Sequence, residues 1–180
     1  MVELRQDLML PTQLGPVYFQ ARVTGPCLVE GNISLRHVGF VPMLPSGMSI
    51  SACTAVLLEI EPDTAVQTIW LRAKLATEAI TSACTGEHLD AQEWTDGHNL
   101  VVIGTEDGAA LDLRYPSLGF ADIVVVDFAS HAMTLRLDHL RGLRGASFHF
   151  IIAENPDPEP VDSSAWFAVD QPHEGLLRLT

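Results

Sequence analysis

Asp138, His149 and Arg136 form the sharpest chemical group this sequence offers, because a strand pairing can place a carboxylate, an imidazole and a guanidinium on one sheet face. A carboxylate beside an imidazole raises the histidine pKa and fixes its tautomer, as a general acid or base requires. No nucleophile accompanies them in the sequence. The simpler interpretation is a cross-strand ion pair, worth a few tenths to about 1 kcal/mol.

Other chemistry is weaker. His88 and His98 lie among Glu87, Asp90, Glu93 and Asp96, but their spacing matches no helical H-x-x-x-H pair, so a solvated polar connector is expected. Pro45-Ser46-Gly47-Met48-Ser49 lacks the glycine frame of a nucleophile elbow, and neither a P-loop nor G-x-G-x-x-G occurs. Cys27, Cys53 and Cys84 are odd in number and widely spaced, which argues against a disulfide framework or a cysteine zinc site. Trp70 and Trp94 read as packing residues. Trp166, just after an acidic Pro-rich stretch, is the aromatic candidate for a contact surface. The expected binding residues are therefore Arg136, Asp138, His149 and Trp166, with no catalytic residue, metal ligand or cofactor assigned.

Charge narrows the partners. The 180 residues carry 23 acids against ten bases, for a net charge of −13, and Lys74 is the only lysine. That is no basic footprint for phosphates, so nucleic acid and anionic membranes are excluded as expected partners. A basic protein fits by charge complementarity. The N-terminal residues 1–10 include Glu3, Arg5 and Asp7, unlike a signal peptide. The uncharged stretch 38–58 is broken by Pro42, Pro45, Gly39 and Gly47, unlike a membrane span. A cytoplasmic address and a single domain over 1–180 are expected.

These groups need a scaffold. Residues 17–23 read as a strand and 28–40 as a hairpin or bent strand around Gly31-Asn32, with Ile33, Leu35 and Phe40 inward. Residues 42–47 read as a loop, and 49–60 as a strand apolar on both faces toward its end, hence central. Over about 63–84 Val66, Ile69, Trp70, Ala73, Ala76, Thr77 and Ile80 recur at spacings of three and four. This predicts one long helix, capped by Asp63 or Thr64 and closed at Gly86. The alternation of Ile69, Leu71, Ala73 and Leu75 is the competing strand reading.

From Leu100 to Ile152 the chain reads as a β-meander. Asp107-Gly108 predicts a type I′ turn joining strands 100–104 and 111–115. Pairing Phe128 with Met133 sets Val126 opposite Leu135, Val124 opposite Leu137 and Asp127 opposite Thr134. Burial then selects the register that sets Phe148, Phe150 and Ile152 opposite His139, Leu137 and Leu135, which places Asp138 across from His149. Residues 166–169 and 176–179 are expected as closing strands.

The expected architecture is α+β and β-rich, an antiparallel meander sheet or sandwich with the long helix packed on it. The expected function is a non-enzymatic protein-binding module, an immunity- or inhibitor-type protein holding a basic partner. The alternative is a small-molecule-binding protein or enzyme with a pocket between sheet and helix, using His139, His149, Asp138 or Arg136. A protein binder predicts an exposed acidic or aromatic patch over 154–166. A ligand site predicts convergent titratable groups around a cavity.

Overall fold

The computed structural model describes residues 1–77, 79–85, 88–140 and 142–179. Its first sheet holds β1 (Val2–Leu10), β2 (Val17–Gly25), β5 (Thr68–Leu75), β10 (Ala132–Leu137) and β9 (Val126–Ala129), in that order. The second runs β3 (Ile33–Gly39), β4 (Ala52–Ala65), β11 (Arg144–Pro156), β8 (Asn99–Glu106), β7 (Leu89–Thr95) and β6 (Ile80–Thr85). All the pairings are antiparallel. Period-two patterning explains the layers: Val17, Phe19, Ala21 and Val23 of β2 point inward, and so do Ile69, Leu71, Ala73 and Leu75 of β5. They meet Val56, Leu58, Phe148, Phe150 and Ile103 of the second sheet in a shared core.

The second sheet is buried on both faces at its centre. Its outer face carries Leu57, Val102, Ile151 and Ala153, covered by two short helices, α2 (Ser164–Val169) and α3 (His173–Leu177). This is why β4, β11 and β8 read as nearly continuous apolar runs.

Several expectations are corrected here. No long helix occurs among the described residues: the stretch 63–84 is the end of β4, then β5 and the start of β6. The two periods compete in this sequence, and β5 is decided by its neighbours, since it lies between β2 and β10 with Trp70, Arg72 and Lys74 on the opposite, more exposed face. Gly86, the expected cap, lies outside the described residues. Asp107-Gly108 makes no hairpin turn. Asp107 is the N-cap of α1 (Gly108–Arg114), accepting from the Ala110 N–H at 2.8 Å. Gly108 is required for a different reason, because a Cβ there would lie 2.4 Å from the Ile123 carbonyl oxygen and 2.5 Å from that of Phe120. Residues 166–169 and 176–179 are no strands: they fall in or beside α2 and α3, which lie over the sheet rather than at its edge. Residues 89–95, expected as a polar connector, are β7.

The β9–β10 hairpin has the expected register, with Phe128 opposite Met133, Val126 opposite Leu135 and Asp127 opposite Thr134. Val124 is 84% exposed and outside it. The next step of the meander is not formed. β11 leaves the first sheet altogether and pairs with β4 and β8, Phe148 against Leu58 and Ile152 against Ile103. A hairpin with β10 would bury one face of β11; the centre of the second sheet buries Ile151 and Ala153 on the other face as well.

Candidate functional site

The same crossover separates the expected pair. Arg136 of β10 and Asp138, just beyond its end, stay with the first sheet and bond each other at 2.7 Å, with side chains 61% and 37% exposed. This is an exposed ion pair, worth about 0–1 kcal/mol. His149 lies on the outer face of the second sheet and is 2% exposed, so Asp138 does not accompany it. His139 follows β10 with a left-handed φ of 61° and lines a cavity of about 330 Å³ with Arg136 and Asp138. Trp166 sits half-buried on α2, its Nε1 donating to Glu93 at 2.8 Å. His88 and His98 are both exposed, at opposite ends of β7; Glu87 lies outside the described residues.

His149 has other partners, and together they form a buried polar cluster. Its Nδ1 lies 2.8 Å from Nδ1 of His173, the first residue of α3, and the two rings stack with centroids 5.0 Å apart. Nε2 of His173 is 2.6 Å from Oγ of Ser147, two residues before His149 on the same face of β11. Glu106, the last residue of β8, brings Oε2 to 3.7 Å from Nδ1 of His149 and 3.9 Å from Nδ1 of His173. Carrying the β8–β11 register two residues beyond its last pair, Gly104 with Ile151, sets Glu106 across from His149.

Arg114, in the last turn of α1, closes the group. Its Nη2 donates to Oε2 of Glu106 at 2.6 Å and to the Ser147 carbonyl at 2.9 Å. Its Nε is buried and finds no acceptor among the described residues. The Tyr115 hydroxyl accepts from the Ser147 N–H at 3.2 Å. Capping of α1 by Asp107 sets where Arg114 enters.

Burial controls the protonation of this cluster. It holds the His149 imidazole well below its ordinary pKa, helped by His173 and Arg114. Burial, then Arg114, brings His173 down to about 3. Glu106 is pushed up by burial, against the opposing pull of Arg114. Both imidazoles are neutral at neutral pH, so one Nδ1 of the 2.8 Å contact carries the proton and the other accepts it. The chain then runs from the Ser147 hydroxyl through His173 to His149, or in reverse with His173 Nε2–H donating to Ser147.

Two cavities open beside these groups. One of about 530 Å³ is lined by Arg114, Tyr115, Arg144, Ser147, His173 and Glu174, among others. Its lip is a β-bulge between Arg144 and Ala146, where Gly145 has φ 54° and a Cβ would fall 2.5 Å from Cα of Pro62. The other, of about 320 Å³, is lined by Glu106, Arg114, His173 and Glu174 among others.

Sequence reading misses Glu106, Arg114, Ser147, Tyr115 and His173. One signal was available: Ser147 and His149 must share a strand face by alternation. Glu106 and His173 come from distant elements with no motif spacing to connect them.

A separate buried carboxylate, Asp90, lines a cavity of about 480 Å³ together with Asp107 and Asp122. Asp90 is 6% exposed on β7, and burial together with Asp107 pushes its pKa from 3.8 up to about 6. A raised folded pKa means that stability falls as pH rises from about 4 to 6 and stays lowered above that. Asp90→Asn is therefore expected to stabilise the protein by about 1 kcal/mol at pH 7.5, after allowance for screening. In urea unfolding the gain should shrink toward zero as pH falls through that window. A gain independent of pH would mean that the surroundings of Asp90 do not raise its pKa.

No helix among the described residues is long and apolar enough to cross a membrane. Family models, curated proteins and solved structures offer no match to this chain, so its function has to be read from the cluster around His149 and His173.

Proposed function

We propose that this protein binds a small anionic organic molecule, and that the cavity of about 530 Å³ beside Ser147 and His173 is its functional site. The observation behind this reading is convergence. Arg114 and Tyr115 at the end of α1, Ser147 on β11 and His173 on α3 line one cavity and hydrogen-bond into one network. A few converging polar groups in a concavity of about 300–1,000 Å³ are the usual marks of a ligand site. Charge supports an anion through Arg144, which lines this cavity and joins no ion pair among the described residues, whereas Arg114 is already paired with Glu106.

The other proposal, a protein-binding module holding a basic partner, draws on the net charge of −13. Its expected contact segment is exposed at Pro156, Pro158 and 160–163, but the acids and the tryptophan that would carry the contact are engaged within the chain. Glu154 accepts from the Gln13 N–H at 2.7 Å, Glu159 from Asn155 and the Ala165 N–H, and Trp166 is tied to Glu93.

Ligand-observed NMR against small carboxylates and phosphate monoesters is expected to return a binder. Arg144→Ala should weaken it about 10-fold or more, the loss of one charge-assisted hydrogen bond, while leaving thermal unfolding unchanged. Absence of any binder, together with stoichiometric and salt-sensitive capture of a basic protein, would overturn this reading in favour of the other.

A further inference from the structure

We propose that Glu106, His149 and His173 form a binding site for one divalent transition-metal ion of the zinc type. The three side chains present one ligand atom each, His149 Nδ1, His173 Nδ1 and a Glu106 carboxylate oxygen, all mutually within 4.8 Å. Their separations of 2.8, 3.7 and 3.9 Å bracket the roughly 3.4 Å between donors that bonds of about 2.0–2.1 Å impose in a tetrahedral shell. Two imidazole nitrogens and one carboxylate suit zinc, iron or nickel rather than magnesium or calcium, which take oxygen shells.

The surroundings are those of a metal site. Nδ1 of His173 can face an ion only if the proton sits on Nε2, and Ser147 Oγ at 2.6 Å is placed to accept that proton. Arg114 fixes the Glu106 carboxylate, which keeps further lone pairs for a cation. The guanidinium opposes an ion, but Glu174 and Asp107 add negative field at Glu106, leaving carboxylates in excess. A shared proton satisfies one line between two nitrogens; an ion would satisfy both nitrogens and the carboxylate together. Three protein ligands also leave a coordination position free, and Glu106 and His173 line the cavity of about 320 Å³ into which it can open. That is the arrangement of a reactive site rather than a closed structural one. Only this role, and not the binding itself, rests on the reading of the neighbouring cavity as the ligand site.

The test uses the full chain, stripped with a chelator and titrated with Zn²⁺ and with Co²⁺. One ion per chain is expected, with visible Co²⁺ absorption displaced by Zn²⁺. Glu106→Gln and His173→Gln should each weaken binding more than about 100-fold, and Ser147→Ala about 10–100-fold through the lost support of His173. His98→Ala, at an exposed loop, should leave it unchanged. No stoichiometric binding at micromolar ion, or an affinity indifferent to Glu106→Gln and His173→Gln, overturns the proposal. Should those variants not fold, X-ray absorption on zinc-loaded wild-type protein decides: two imidazoles in the shell support the site, one or none overturns it. An ion bound with no small-molecule binder would defeat the ligand reading alone; a small molecule bound by protein that takes no ion would defeat this inference alone.

Discussion

Arg114→Ala is expected to destabilise the protein by about 3–5 kcal/mol, the usual cost of removing one partner from a buried ion pair. The side chains of Arg114 and Glu106 are 14% and 12% exposed, and their 2.6 Å contact is supported by the Ser147 carbonyl. The guanidinium also stacks over Tyr115, 4.9 Å from its ring centroid. Truncation therefore leaves the Glu106 carboxylate poorly solvated and the Ser147 carbonyl with the Tyr115 hydroxyl alone, at 3.3 Å, and opens space beside the ring. Arg114→Lys keeps a charge but not the planar fork that reaches both oxygens, so an intermediate loss is expected. Arg114→Met with Glu106→Gln removes both charges and should recover much of the stability, because no ion is then stranded. Urea unfolding of the four proteins measures this. An Arg114→Ala variant within about 0.5 kcal/mol of wild type, the range of ordinary surface changes, would show that water already solvates Glu106.

Phe150→Ala should cost as much for a different reason. The side chain is fully buried, on the central strand of the second sheet, with its ring centroid 6.1 Å from that of Phe19 in the first. Truncation removes contacts on both sheets and leaves a cavity that neither rigid layer can close, at about 3–5 kcal/mol. Phe167, 44% exposed on α2, is the control and should change stability by less than about 1 kcal/mol when truncated. Equal effects at the two positions in urea unfolding would contradict the placement of the core between the sheets.

Local signals survived the comparison of sequence with structure. β2 alternates strictly from Val17 to Val23, and Ala55-Val56-Leu57-Leu58 announces a strand buried on both sides. The β9–β10 register follows from a short turn and one buried face, information held within a dozen residues. Where two local patterns coincided, sequence could not choose. Residues 66–77 satisfy a helical and a strand period at once, and β5 exists because β2 and β10 offer backbone partners on both edges. Asp107-Gly108 serves a hairpin or a helix start equally; in the fold Asp107 caps α1, and the close approach of the Phe120 and Ile123 carbonyls leaves no room for a side chain at position 108.

The site divides in the same way. Alternation alone sets Ser147 and His149 on one face of a strand, and composition alone makes an acidic chain with few bases to spare. Whether that face meets Asp138 or Glu106 depends on which sheet β11 joins. That choice is made by burial of both its apolar faces, a property of the assembled sheets and not of any segment. His173 arrives only because α2 and α3 cover the outer face of the second sheet, carrying an imidazole from the C-terminal segment to 2.8 Å from His149. Sequence singled out His149 as a residue that could do chemistry; packing over long chain separations decided which side chains it meets.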